Sequence, residues 1–148
     1  MFRTPFFYVR AMTDPEIATL FSQNLTIAIV GASKNPSRPV YGVMAYLIEA
    51  GFDVIPVNPG LAGQVLLGET VVATMSEIER PVHIVDVFRQ SDAVPQIVEE
   101  VLSLGEDRPV LWLQLGIHHP VAEAEAKVAG MPVVSGKCIK IEHQRLLA

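Results

Sequence analysis

The stretch Thr26–Pro39, TIAIVGASKNPSRP, decides the fold of this chain. Its first five residues, TIAIV, are typical of a buried β-strand, and the strand ends abruptly at Gly31. A short polar turn follows, and a helical pattern begins near Pro39. In parallel α/β proteins, this strand–turn–helix arrangement presents backbone N–H groups and the positive end of a helix dipole to phosphate. We therefore expect the chain to bind an anionic nucleotide.

Buried strands and helices alternate along the rest of the chain. The strands are continuous apolar runs, which are typical of a parallel sheet that is covered on both faces. Because crossovers between parallel strands are right-handed, the sequence predicts an α/β fold with a doubly wound, mainly parallel sheet and helices on both faces. Residues 61–68 are expected to form a loop, and Ser91 or Asp92 is expected to cap the helix that ends at Gly105. The remaining predicted strands cover residues 53–57, 69–72, 82–87, 109–115 and 132–134.

The composition limits the partners that this chain can bind. The 148 residues carry a net charge of −5, whereas duplex DNA and anionic membranes bind basic surfaces, so we expect no nucleic-acid or membrane partner. The single cysteine, Cys138, excludes an internal disulfide and favours a cytoplasmic location. The four histidines show no metal-ligand spacing, so no metal site is expected.

The length predicts a single domain, residues 14–148, preceded by an N-terminal arm, residues 1–13. The arm contains Phe6, Phe7 and Tyr8, which would be exposed to water unless they contact another subunit. We expect the arm to be either disordered or in contact with a second copy, and the second alternative would make the protein a homodimer.

The turn after the first strand departs from the dinucleotide-binding pattern. The G-x-G-x-x-G fingerprint has three glycines, but only Gly31 is present, and Ser33 replaces the second glycine. The second strand ends in Asn58, where an acidic residue would hold a ribose hydroxyl. A Walker lysine pattern is also absent. A nicotinamide cofactor is therefore disfavoured, and an NAD(P)-binding regulatory protein is retained as an alternative.

The chain contains, in order, five segments that resemble the CoA-binding-domain family: GASKNPSRPVYGVMAYL, VIPVNP, VDVFRQS, LWLQLG and CIKIEH. These small proteins are similar to the N-terminal CoA-binding domain of the succinyl-CoA synthetase α subunit, and the resemblance covers residues 14–146. It implies a Rossmann-like domain whose cofactor is coenzyme A. It also implies a protein that binds CoA or an acyl-CoA without autonomous catalysis, as a carrier, a sensor or the partner subunit of another protein.

The resemblance also implies which residues contact the ligand, from the loops that follow four of the strands. The three cations among them lie at predicted strand ends, where a protein of net negative charge would concentrate positive charge for a phosphorylated ligand. The implied contacts are Gly31, Ala32, Ser33, Lys34 and Arg38 at the pyrophosphate, Asn58 and Pro59 at the adenosine, Phe88 and Arg89 beside the ligand, and Leu115, Gly116 and Ile117 at the pantetheine arm.

Cys138 raises the alternative of a CoA-dependent transferase or a thiol-redox protein. It opens the last predicted helix, and Lys137 and Lys140 flank it, an arrangement that is typical of reactive thiols. One hypothesis places this thiol near the CoA sulfur, where the two could form a mixed disulfide. The other treats Cys138 as a small buried hydrophobe.

The other candidate groups indicate no catalytic site. His118 and His119 are expected to be exposed loop residues, because the phosphorylated histidine of the synthetase relatives lies in a second domain. Asp86 is expected either to orient Arg89 or a ribose, or to have a structural role. No catalytic residue is therefore assigned.

Overall fold

The computed structural model of the protein describes residues 11–147. Within them, a central sheet and a separate two-stranded hairpin are connected by five α-helices and three short 3-10 turns. The elements in chain order are α1 (Asp14–Phe21), β1 (Thr26–Val30), α2 (Pro39–Glu49), β2 (Asp53–Val57), β3 (Val65–Leu66), β4 (Glu69–Thr70), β5 (Ile84–Val87), α3 (Val94–Ser103), β6 (Val110–Leu113), α4 (Pro120–Val128), β7 (Val133–Ser135) and α5 (Ile139–Leu146).

The central sheet has the order β2-β1-β5-β6-β7, and all its strand pairs are parallel. Successive side chains of each strand point to opposite faces, so every strand contributes to two cores. Ile27 and Ile29 of β1 pack with α1, α2 and α5, whereas Ala28 and Val30 pack with α3 and α4. The predicted α/β fold with helices on both faces of a doubly wound sheet is confirmed.

The strand order fixes where a ligand can bind. From β1 the chain crosses outward to β2 on one side, and β5 lies on the other side of β1. The helices that follow β1 and β5, α2 and α3, pack on opposite faces of the sheet, which leaves a crevice at its carboxyl edge. Gly31 and Phe88 are the first residues of the loops after β1 and β5, so the segment that decides the fold also lies at this crevice.

Two local predictions were wrong. Residues 61–68 contain β3, which forms an antiparallel hairpin with β4, because a tight turn with positive φ at Leu67 and Gly68 reverses the chain. Helix α3 has Ala93 at its N-cap and no side-chain cap, since residues 91–93 form a 3-10 turn that leads directly into the helix. The Ser91 hydroxyl instead accepts a hydrogen bond from the backbone N–H of His118.

The predicted N-terminal arm falls mostly on residues that lie outside the described part of the chain. Of its last three residues, Thr13 caps α1 and forms a capping box with Glu16.

None of the helices in residues 11–147 is long and apolar enough to cross a membrane.

His143 of α5 lies in an aromatic cluster that joins α5 to α1 and α2. Its Nδ1 is 2.7 Å from the hydroxyl of Tyr46, and its ring contacts those of Phe21 and Phe52 edge-on at 5.3 and 5.5 Å. Burial lowers the pKa of His143, because the charged imidazolium loses hydration among these rings. The folded protein therefore favours neutral His143.

We expect the free energy of unfolding to decrease with acidification below about pH 6.5, the ordinary pKa of histidine, because the unfolded chain then takes up a proton that folded His143 resists. The matched control is His143→Gln, which can still accept the Tyr46 hydrogen bond but does not titrate. Thermal unfolding of both proteins at pH 7.5 and 5.5 measures the effect. The wild type should lose more stability than the variant, and an equal loss would contradict the assignment.

Candidate functional site

The loop after β1 is held in place by the neighbouring strand. The backbone N–H groups of Gly31 and Ala32 both donate to the carbonyl of Val57, at 3.1 and 3.3 Å. These two amides are therefore not available to a ligand. Among residues 11–147, no group accepts a hydrogen bond from the amides of Ser33 and Lys34, which come next in the loop.

Gly31 is required by both its conformation and its surroundings. Its φ is +94°, which side chains rarely adopt. A Cβ added there would lie 3.0 Å from the carbonyl oxygen of Phe88 and 3.2 Å from Cδ of Arg89. The loops after β1 and β5 can approach this closely only because residue 31 is a glycine.

Two asparagine side chains shape the loop cluster. The side-chain oxygen of Asn35 accepts hydrogen bonds from the backbone N–H and the hydroxyl of Ser37. The backbone N–H of Asn35 donates to the Ser33 hydroxyl. Asn58 donates to the carbonyl of Ala32 at 2.7 Å and accepts from the N–H of Gly60 at 2.8 Å. Sequence reasoning missed Asn35, although Asn followed by Pro and Ser is a common turn signal.

A cleft of about 700 Å³, here called the loop cleft, opens at the carboxyl edge of the sheet. Eight of the residues implied by the resemblance line it, together with five others. The lining residues are Gly31, Ala32, Ser33, Lys34, Asn35, Arg38, Asn58, Gly60, Leu61, Phe88, Arg89, Gln90 and Asp92.

A second cavity of about 500 Å³, here called the α3 cavity, adjoins the loop cleft and contains Pro59 in its wall. Its walls are mainly apolar, with Val30, Val57, Met75 and Ile97 among them. The two cavities share four lining residues. These are Gly31, Asn58, Gly60 and Arg89.

Among the described residues, the cations of the loop cleft differ from the other arginines because their side chains have no partners. Within residues 11–147, no group accepts a hydrogen bond or ion pair from the side chains of Lys34, Arg38 and Arg89. The side chains of the remaining described arginines are all engaged. Arg80 pairs with Asp53, Arg108 donates to the carbonyls of Gly105, Asp107 and Ala129, and Arg145 pairs with Asp14 and Glu142.

The loop after β6 lies beside the loop cleft but does not line either cavity. Leu115 is 62% exposed, and Ile117 packs against the core under α3 and α4. The next residue, His118, donates its N–H to Ser91, whose chain neighbours Gln90 and Asp92 line the cleft. Leu115, Gly116 and Ile117 are thus near the rim of the cleft rather than in its wall.

Both histidines of this loop make contacts that hold the local structure. The expectation that His119 is exposed was wrong: it is half-buried and caps α4, where its Nδ1 accepts from the N–H of Ala122 and its own backbone N–H donates to Glu123. His118 is exposed, as expected, and its ring lies over Gly136. Both residues therefore have structural contacts within the described part of the chain.

Cys138 and Asp86 both face the core under α1, α2 and α5 rather than the crevice. Cys138 is partly buried against that core and lines neither cavity. Asp86 is fully buried beside Ile29 and Trp112 in the sheet, and neither of its oxygens has a hydrogen-bond partner among residues 11–147. Burial raises the pKa of the Asp86 carboxyl well above its usual range. Asp86 therefore does not orient Arg89.

In the described part of the chain, no group of three or more potential ligands is arranged to hold a metal ion.

Comparisons with known proteins identify a sequence family and relatives of this chain. A sequence model described as the CoA binding domain matches residues 25–144. The uncharacterized protein YneT of Bacillus subtilis (strain 168) is 37% identical over 128 residues, which are 86% of this chain and 92% of that protein.

Solved structures show the same fold at clear sequence identity. Cell-free ID.343 from Thermus thermophilus is 47% identical with a TM-score of 0.86, and the match covers 92% of this chain and 100% of that chain. A hypothetical protein from Pyrococcus horikoshii OT3 is 32% identical, also with a TM-score of 0.86, and the match covers 100% of both chains.

Proposed function

Because the chain belongs to the CoA-binding-domain family, we propose that it binds coenzyme A or an acyl-CoA in the loop cleft and the α3 cavity. We further propose that it acts as a cytoplasmic carrier or sensor of CoA, or as the CoA-binding subunit of a partner protein, without catalysis of its own. The observation that carries this proposal is that one cleft of an acidic chain is lined by Lys34, Arg38 and Arg89, whose side chains have no partners within residues 11–147.

The loop cleft suits the diphosphate of CoA. The ligand carries about four negative charges near neutral pH, counting the phosphomonoester as nearly doubly ionised. The free amides of Ser33 and Lys34 supply hydrogen-bond donors, and the N-terminus of α2 adds a partial positive charge at the end of the loop. Arg38 at the N-cap of α2 adds a planar donor group that matches phosphate geometry.

The α3 cavity suits the adenine base. It adjoins the loop cleft, and a base and a diphosphate on one nucleotide need two adjoining sites. Its apolar walls, which include Val57, Met75 and Ile97, favour a flat aromatic ring over a charged group. Pro59 lies in this wall, which supports its proposed place at the adenosine.

The remaining implied contacts follow from this placement. A pantetheine arm that leaves the loop cleft past Gln90 and Asp92 meets the loop after β6, where Leu115 offers an exposed apolar side chain. Asn58 supports the site indirectly, since its side-chain amide joins the loops after β1 and β2 through hydrogen bonds to Ala32 and Gly60.

Thermal unfolding in the presence of candidate ligands tests the proposal. A ligand at 100 times its Kd stabilises a protein by about 2.7 kcal/mol, so CoA should raise the Tm clearly. NAD and ATP at the same concentration should not. A shift with NAD and none with CoA would favour the alternative of an NAD(P)-binding regulatory protein.

Arg38→Ala should weaken CoA binding about 10- to 150-fold, because a charge-assisted hydrogen bond to phosphate contributes about 1.5–3 kcal/mol. Isothermal titration calorimetry measures the effect. Lys127→Ala is the matched control, since it removes one positive charge from α4, away from both cavities. Equal affinities for CoA in the wild type and Arg38→Ala would show that the phosphate site is misplaced.

A further inference from the structure

We propose that Arg89 binds a phosphate on the ribose of the ligand, so that the protein selects 3′-phosphoadenosine nucleotides over nucleotides with a free ribose. This inference rests on the proposed function, because it assumes that the diphosphate lies in the loop cleft and the base in the α3 cavity. It adds a specificity-determining residue and a ligand class to that proposal.

The position of the ribose follows from the two cavities. The ribose joins the base to the diphosphate, so it must lie where the α3 cavity meets the loop cleft. Four residues line both cavities and define this boundary. They are Gly31, Asn58, Gly60 and Arg89.

The boundary is positively charged. Arg89 is the one charged residue of the four. Of the other cations that line the loop cleft, Lys34 and Arg38 do not line the α3 cavity. Each cavity also has one acidic residue in its wall, Asp92 in the loop cleft and Glu100 in the α3 cavity, and neither of the two lines both cavities.

The Arg89 side chain is both anchored and available. Its Cδ lies against Gly31, 3.2 Å from where a Cβ would be, so its stem is packed on the loop after β1. Arg89 is exposed at the cleft, and in residues 11–147 its guanidinium has no hydrogen-bond or ion-pair partner. A planar guanidinium in such a place is well suited to bind a phosphate through two parallel hydrogen bonds.

Asn58 occupies the position from which dinucleotide-binding proteins recognise a free ribose. In dinucleotide-binding sites, an acidic residue at the end of the second strand accepts hydrogen bonds from the ribose hydroxyls. Here the neutral amide of Asn58 stands at that position, and both its polar groups are already bonded to Ala32 and Gly60. The end of the second strand thus presents a neutral amide in place of a carboxylate, so it does not repel a phosphate on the ribose.

Titration calorimetry with CoA and dephospho-CoA, which differ only in the 3′-phosphate, tests the inference on the full chain. The wild type should bind CoA at least about 10-fold more tightly than dephospho-CoA, as expected for one charge-assisted phosphate contact. In Arg89→Gln, which keeps most of the stem that packs on Gly31, the two affinities should become equal to within about threefold. The change should come from weaker CoA binding, with the affinity for dephospho-CoA almost unchanged.

Arg38→Ala is the matched control, because loss of a diphosphate contact should weaken both ligands by the same factor and keep their ratio. A wild type that binds CoA and dephospho-CoA equally would overturn the inference, as would an Arg89→Gln variant that keeps the wild-type ratio. In both cases CoA still binds and the proposed function stands. A wild type that binds neither ligand would overturn the proposed function itself.

Discussion

Gly31→Ala is expected to lower the affinity for CoA by about two orders of magnitude, the equivalent of about 3 kcal/mol. The new Cβ would meet the backbone of Phe88 at 3.0–3.1 Å, and backbone cannot yield as a flexible side chain does. The loops after β1 and β5 would have to separate, which displaces the free amides of Ser33 and Lys34 and the stem of Arg89 together. Titration calorimetry with CoA measures the loss.

Gly51→Ala provides an unusually close control for this prediction. Gly51 has a φ of +96°, against +94° for Gly31, but nothing lies within 4 Å of its added Cβ. Both variants should lose about 1–2 kcal/mol of folding stability from the strained backbone. Only Gly31→Ala should also lose CoA affinity. If both variants bind CoA as the wild type does, the close approach at Gly31 has no role in binding.

Asp86→Val is expected to stabilise the protein by about 1–3 kcal/mol at neutral pH, the ordinary cost of a buried polar group without a partner. Asp86 is fully buried, and within the described part of the chain both its oxygens lack hydrogen bonds. Valine is close in size and favours strands. Chemical denaturation of wild type and variant measures the difference.

The same carboxyl should make stability depend on pH. Because burial raises the pKa of folded Asp86, the unfolded chain releases this proton at lower pH than the folded protein does. The free energy of unfolding should therefore decrease as the pH rises above about 3.9, the unfolded value, and level off above the folded pKa. Asp86→Asn should lack this contribution. Destabilisation by Asp86→Val together with an unchanged pH profile in Asp86→Asn would mean that the carboxyl has a partner in solution.

The sequence predicted the parts of the molecule that depend on local pattern. The TIAIV run, the break at Gly31 and the helix from Pro39 carry signals within a few residues of each other, and all three lie where they were expected. The location of Lys34 and Arg38 at the carboxyl edge of the sheet follows from the position of this strand, because the ends of parallel strands share one edge.

Contacts between distant segments could not be predicted in this way. The strand–turn–helix pattern predicts that the N–H groups of Gly31 and Ala32 donate to a phosphate. In the structure, both N–H groups donate to the carbonyl of Val57 instead. Asp86 follows buried residues in a strand, but its lack of a partner depends on what α2 and α5 place above it. Likewise, the capping role of His119 depends on where α4 begins.

A crystal structure of the protein grown with saturating CoA tests the central claim most directly. We expect the diphosphate at the amides of Ser33 and Lys34 beside Arg38, with the adenine in the α3 cavity. Both sites empty, or CoA in the separate cavity of about 390 Å³ that Arg80 and Pro109 help to line, would contradict the account.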